Sequence, residues 1–173
     1  MLPVQHRLRV YARLLMCEQG VLDGWLDIIP FAPNRESFMT ALSKSQLRRR
    51  FLRWRRGVAV GEVARCSSAV CAQLLALPEV VAAPVLVLYV AFAGEIDLKQ
   101  LFSACREQGK GMALPRYNAV ADCYELVQVF DVEKDTAVGH HGIREPLPRC
   151  RRLSDDERTS SQLTWIVPGV AFD

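Results

Sequence analysis

At 173 residues, half of them hydrophobic and 8% aromatic, the chain can bury one domain's core, which makes a soluble globular class the default. Its longest apolar run, residues 80–93, is broken by Pro84 and falls short of the roughly 18 to 20 residues that a spanning helix needs, so no transmembrane segment is expected. The net charge of +3 conceals one local feature: no acid lies between Glu36 and Glu62, where Lys44, Arg48, Arg49, Arg50, Arg53, Arg55 and Arg56 stand. The remainder is net acidic, which argues against a uniformly basic nucleic-acid binder and for a single cationic feature.

Arg7, Arg9 and Arg13 precede the first acid, Glu18, and interrupt what would be the apolar core of a secretory signal, so export is not expected. Residues 22–33 mix turn residues with bulky apolars and show no sustained period; an irregular arm without chemistry is expected there. Pro33-Asn34 is a helix start, and the pattern predicts a helix to Gly57. Leu47, Phe51, Trp54 and Val58 share the face that should meet the core, with Lys44, Arg48 and Arg55 along one flank and Arg49, Arg53 and Arg56 toward solvent. A second helix is predicted over 60–77, with Pro78 as its stop.

Residues 85–90 form a continuous apolar run of the kind buried on both faces of a parallel sheet. Asp97 is an expected N-cap for a helix carrying Leu98, Leu101, Phe102 and Cys105 and ended by Gly109. A strand over 110–114, stopped at Pro115, completes a βαβ unit. Another strand is predicted over 123–130, then a charged, turn-rich segment to Ser161 with no clear element. Leu163 to Val167 reads as a last buried strand closed by Pro168-Gly169.

Glu95, just beyond the 85–90 strand, stands where ligands collect in open parallel sheets, and its carboxylate could bond the polar edges of a ligand. It could equally serve the N-terminus of the next helix by its charge. His140-His141 has no accompanying ligand cluster and reads as loop surface. The six cysteines, Cys17, Cys66, Cys71, Cys105, Cys123 and Cys150, show no metal-binding spacing, which fits free thiols in a reducing cytoplasm. No hydrolase triad motif or phosphate-binding glycine loop is present.

Taken in order, Lys44-x-x-Leu47-Arg48, Tyr89-Val90 followed by Glu95-Ile96-Asp97, Leu114-Pro115-Arg116-Tyr117, Gly142-Ile143-x-Glu145-Pro146 and Pro168-Gly169-x-x-Phe172-Asp173 resemble the 5-formyltetrahydrofolate cyclo-ligase family. The resemblance covers roughly residues 43–173. It implies a three-layer α/β/α domain with a mostly parallel, Rossmann-like sheet over 41–173, preceded by an extension over 1–40. It implies ATP and Mg²⁺ as cofactors, 5-formyltetrahydrofolate as substrate, and a cytoplasmic ligase that makes 5,10-methenyltetrahydrofolate through a phosphorylated formyl group. Lys44, Ser45, Gln46, Leu47 and Arg48 match its ATP-side positions, and Val90 and Glu95 its folate contacts; no catalytic residue is assigned.

In the family a glycine-rich Arg-Leu-Gly segment follows Phe-Asp and supplies phosphate-cradling amides and the Mg²⁺ ligand, whereas this chain ends at Asp173. The resemblance therefore implies a phosphate site left incomplete, no metal ligand within 1–173, impaired activity, and a terminal strand with an uncovered edge through which chains could associate. Two rival functions are a non-catalytic remnant that still binds folate and a nucleic-acid module gripping through Arg48 to Arg56. The second is disfavoured by Phe51 and Trp54, which are expected on the core face and so cannot stack on bases.

Overall fold

The computed structural model describes residues 9–11, 43–160 and 162–170. In chain order the elements are β1 (Arg9–Tyr11), α1 (Lys44–Arg56), α2 (Val60–Ala76), α3 (Pro78–Ala82), β2 (Val85–Val87), α4 (Lys99–Glu107), β3 (Gly111–Asn118) and β4 (Cys123–Val129). There follow α5 (Val132–Asp135), β5 (Thr136–Val138), a 3-10 turn (His140–Gly142), β6 (Arg144–Pro146), α6 (Asp155–Thr159) and β7 (Leu163–Val167). The main sheet has the order β1-β7-β2-β3-β4, in which β1, β7, β2 and β3 are parallel and β4 is antiparallel to β3. This is the mixed α/β class with a mostly parallel sheet that the apolar runs predict.

Alternation along the strands divides the core in two, because successive side chains leave opposite faces of a strand. Leu86, Leu88, Met112, Leu114 and Ile166 face Val70, Cys71 and Leu74 of α2 and Leu101 and Cys105 of α4. Val87, Ala113 and Leu126 face the other way, packed with Leu153 and with Leu163 and Trp165. The β2–α4–β3 unit is as expected, with Val85 paired to Gly111 and Val87 to Ala113. Lys110 ties its return to the preceding helix: Nζ donates to the carbonyls of Val80 (3.1 Å), Val81 (2.5 Å) and Ala83 (2.9 Å).

Several expectations need correction. The first helix starts at Lys44, where Ser43 and Gln46 form a capping box; residues 34–42, where an earlier start is predicted, lie outside the described residues. Its apolar face does not enter the core: α1 buries no residue, Phe51 is half-buried and Trp54 is 38% exposed. The run over 85–90 pairs only as far as Val87, because the chain leaves the sheet at its carboxyl end. Leu98, not Asp97, occupies the N-cap of α4, although Asp97 Oδ1 accepts from the Lys99 amide at 2.9 Å.

Pro115 does not stop β3, which continues to Asn118. The ladder to β2 ends at Ala113, so Pro115 sits where no donor is required on that side. The 131–161 segment holds α5, the β5–β6 hairpin, the 3-10 turn and α6, elements too short to leave a periodic signal. The edge of β7 expected to lie bare is paired by β1, with Arg9 opposite Trp165, Val10 opposite Ile166 and Tyr11 opposite Val167. A short apolar strand offers its ladder to whichever segment can reach it, and here the chain's own residues 9–11 take it.

Among the described residues no single helix is long and apolar enough to cross a membrane; α1 and α2 meet those criteria only as a pair, bent by 107°.

Candidate functional site

The site grows from the point where β2 ends. The Leu88 amide still donates to the Ala113 carbonyl at 2.9 Å, after which the backbone turns off the sheet. Residues 92–95 close a tight turn in which the Glu95 amide donates to the Phe92 carbonyl at 3.2 Å. Both central residues are left-handed, Ala93 at φ 50° and Gly94 at φ 79°. A non-glycine residue held in that region stores strain of the kind found at ligand-binding loops.

The turn places the Glu95 carboxylate between two donors. Oε2 accepts from the Phe92 amide at 3.1 Å, and Oε1 lies 3.5 Å from Arg55 Nη1 at the last turn of α1. The loop is fastened to α2 from behind. The Ser67 hydroxyl donates to the Val63 carbonyl at 2.7 Å and accepts from the Asp97 amide at 2.9 Å, and the Cys71 thiol donates to the Asp97 carbonyl. Tyr89 donates its hydroxyl to the Ile96 carbonyl at 3.0 Å. Burial, reinforced by the nearby negative charge of Glu95, pushes this phenol well above its ordinary range, so it remains a donor.

Gly94 is required on two counts. Its φ is left-handed, and a Cβ there would stand 3.3 Å from the Arg55 carbonyl oxygen and 3.5 Å from its Cγ. Gly94→Ala should therefore cost about 1 to 2 kcal/mol, the penalty of a side chain in that region, and push the turn off α1. A denaturant midpoint equal to that of the unmutated protein would contradict this.

The other wall comes from the 3-10 turn and β3. Gly142 faces the ring of the exposed Phe92, His140 stacks on Tyr117 at 4.2 Å and 24°, and His141 packs against His140 at 3.8 Å. The two histidines are surface residues, as expected, but their stacking makes them part of an aromatic rim. Behind it, Arg116 binds Glu125 across the β3–β4 ladder and donates to the Leu147 carbonyl at 2.9 Å. Parts of three of the five sequence motifs thus meet around one end of the sheet, the Glu95 turn, the Arg116-Tyr117 strand and the Gly142 turn, and Arg55 of α1, which lies outside the first motif, joins them. By register with β2, Pro168-Gly169 leaves β7 at about the level of Val90.

The residues assigned by resemblance are placed as follows. Lys44, Ser45, Gln46 and Arg48 are exposed on the first turns of α1 and Leu47 is half-buried; Lys44 and Arg48 have no ion-pair partner among the described residues. Ser45 and Gln46 are engaged in the cap, through Ser45 Oγ to Ser43 Oγ at 3.0 Å and the Ser43 amide to Gln46 Oε1 at 2.7 Å. Val90 is half-buried in the loop and Glu95 is held as described. Arg55 lies eleven residues beyond Lys44, roughly 16 Å along the helix, so α1 runs from the cationic turn to the carboxylate. Sequence reasoning left Arg55, Phe92, Gly94, Tyr117 and His140 unassigned. The available signals were Gly94 in a turn and Arg55 on the Lys44–Arg48 flank.

For the Mg²⁺ that accompanies ATP, the described residues assemble no group of three His, Cys, Asp or Glu side chains able to hold an ion. They do not fit that ion as a protein-held centre, and no step is derived through it.

An open, mostly parallel sheet with Glu95 and Arg55 paired at its carboxyl end makes this a protein of the mixed α/β class. The family model described as the 5-formyltetrahydrofolate cyclo-ligase family matches residues 40–173, and the chain belongs to that family. A relative described as a probable 5-formyltetrahydrofolate cyclo-ligase, from Schizosaccharomyces pombe, is 32% identical over 108 residues, 62% of this chain and 52% of that protein. The NMR structure of Aquifex aeolicus 5,10-methenyltetrahydrofolate synthetase is similar with a TM-score of 0.63 and 32% identity, over 76% of this chain and 63% of that one. The chain thus spans about half the length of the curated relative and under two thirds of the solved one.

Proposed function

We propose that this chain carries the folate and nucleotide contacts of a cytoplasmic 5-formyltetrahydrofolate cyclo-ligase. The observation that carries the reading is Glu95, presented on a strained turn at the carboxyl end of β2 and docked against the helix that bears Lys44 and Arg48. Val90 and Glu95 hold the folate, the carboxylate accepting from its polar ring edge; Lys44 and Arg48 meet the ATP phosphates as charge-assisted donors. In the reaction the γ-phosphoryl group passes from ATP to the formyl oxygen, its bond to ADP breaking, and the second folate nitrogen attacks that carbon and loses its proton to solvent. The C–O bond then breaks, releasing phosphate and 5,10-methenyltetrahydrofolate. Burial pushes the thiols of Cys66, Cys71 and Cys105 above their ordinary range, which suits a protein that keeps them reduced.

Calorimetric titration with ATP tests the nucleotide half. Lys44→Ala and Arg48→Ala should each weaken binding by roughly 1.5 to 3 kcal/mol, the range of charge-assisted contacts, and Arg49→Ala and Arg53→Ala should not. Equal losses from all four would mean a non-specific cationic face.

One observation favours a second reading, in which α1 grips nucleic acid: Phe51 and Trp54 are not in the core and so do not count against it. Submicromolar oligonucleotide binding near physiological salt would promote it, whereas retention only at low salt is what any basic helix gives.

A further inference from the structure

The proposed function leaves Arg55 without a role, yet Arg55 is where α1 meets the rest of the site. The helix has no fully buried residue and is bent by 107° from α2. At its last turn the Arg55 side chain is only 16% exposed, with Nη1 3.5 Å from Glu95 Oε1, and the Arg55 backbone carbonyl lies against Gly94. Its Nε is buried and has no hydrogen-bond partner among the described residues. An arginine placed for its own hydrogen bonding would not leave a buried donor unpaired, which costs more than an ordinary bond returns. Lys44 and Arg48, on the same flank, reach no carboxylate among the described residues, which sets Arg55 apart from the other two.

We infer that Arg55 is a positioning residue: it clamps the end of α1 to the turn at 92–95 and aims the Glu95 carboxylate. The cations at the start of the helix and the carboxylate on the loop are thereby held in one frame. Glu95 alone has the Phe92 amide to orient it, and that contact lies inside the turn and moves with it. Arg55 supplies the reference outside the turn. The ligand consequence rests on the functional reading above; the clamp itself does not.

Two measurements separate them. In the unliganded protein, amide exchange at Glu95 and Ile96 should accelerate about tenfold in Arg55→Met, as for a local opening made easier, while Leu74 and Leu101 keep their protection. Unchanged exchange at 95 and 96 overturns the clamp whatever a ligand does. In titrations with 5-formyltetrahydrofolate, Arg55→Met and Glu95→Gln should each weaken binding by about tenfold and the double variant no further, as for neighbours acting through one interaction. Arg55→Lys, which keeps the charge, should recover part of the loss. Additive losses would overturn the proposal, since Arg55 would then act on its own. If Glu95→Gln leaves folate binding unchanged, or the unmutated chain binds none, the folate assignment fails, and the exchange result alone decides the clamp.

Discussion

Arg116→Met should cost about 3 kcal/mol of stability, several times the loss expected from any exposed ion pair of this chain. Glu125 is 7% exposed and stands directly opposite Arg116 in the β3–β4 ladder. Arg116 Nη2 and Nε both donate to its Oε1, at 2.6 and 2.9 Å. Removing the guanidinium leaves a nearly buried carboxylate with a side-chain hydrogen bond to Asn118 and with Arg152, whose Nε is 3.9 Å from Oε2 and whose side chain is half exposed. That second arginine keeps the expected loss at the lower end of the range for a broken buried pair.

The pH dependence follows from the same contact. The Arg116 hydrogen bond, the largest influence on Glu125, holds its carboxyl below the ordinary value of 4.5. A depressed carboxylate contributes stability that is present above the ordinary value and disappears as pH falls through the folded one. The gap in urea midpoint between wild type and Arg116→Met should therefore be widest above pH 4.5 and narrow below it. Arg116 also donates to Leu147, just past β6, and precedes Tyr117, on which His140 stacks, so the variant should disturb that stack as well. A midpoint within about 0.5 kcal/mol of wild type at neutral pH, the scale of ordinary surface changes, would show that the pair is solvated.

Burial on both faces was legible because it writes itself into consecutive residues. Leu86 and Val87 face opposite halves of the core, and the same holds for Met112 and Ala113. The α4 stripe was equally plain, since Leu101 and Cys105 sit one turn apart and both are buried. Periodicity misleads where an amphipathic pattern is not buried in the core. Leu47, Phe51, Trp54 and Val58 have the spacing of a core face, and the chain does not use them as one. Short elements fail for the opposite reason: three residues of β5 against three of β6 carry no period to detect.

The site was half legible. Glu95 could be placed from strand position alone, because the carboxyl end of a parallel strand is a geometric consequence of the fold. Its partner could not. Arg55 shares a helical flank with Lys44 and Arg48, but what lies beside that flank depends on where the chain turns after β2, and the turn depends on Ala93 and Gly94 taking positive φ. The Tyr117–His140 stack is a tertiary contact between residues 23 apart, and neither has a local signal.

Deleting residues 1–12 should drive the chain into larger assemblies. Strand β7 is flanked by β2 on one side and by β1 on the other, each in parallel register. Without β1, the row Trp165, Ile166 and Val167 presents unpaired backbone groups on a strand whose side chains are mostly apolar, the arrangement that recruits another chain. The lost ladder bonds contribute only roughly 0.5 to 1.5 kcal/mol each, so the change in association should exceed the change in stability. Sedimentation of the 173-residue and shortened chains at matched concentration makes the comparison. Val167→Lys in the shortened chain should restore the smaller species, because Val167 stands at the carboxyl end of the strand, already 36% exposed, where a lysine can block edge pairing without entering the core. Identical sedimentation and identical unfolding midpoints for the two chains would show that residues 9–11 do not guard the edge.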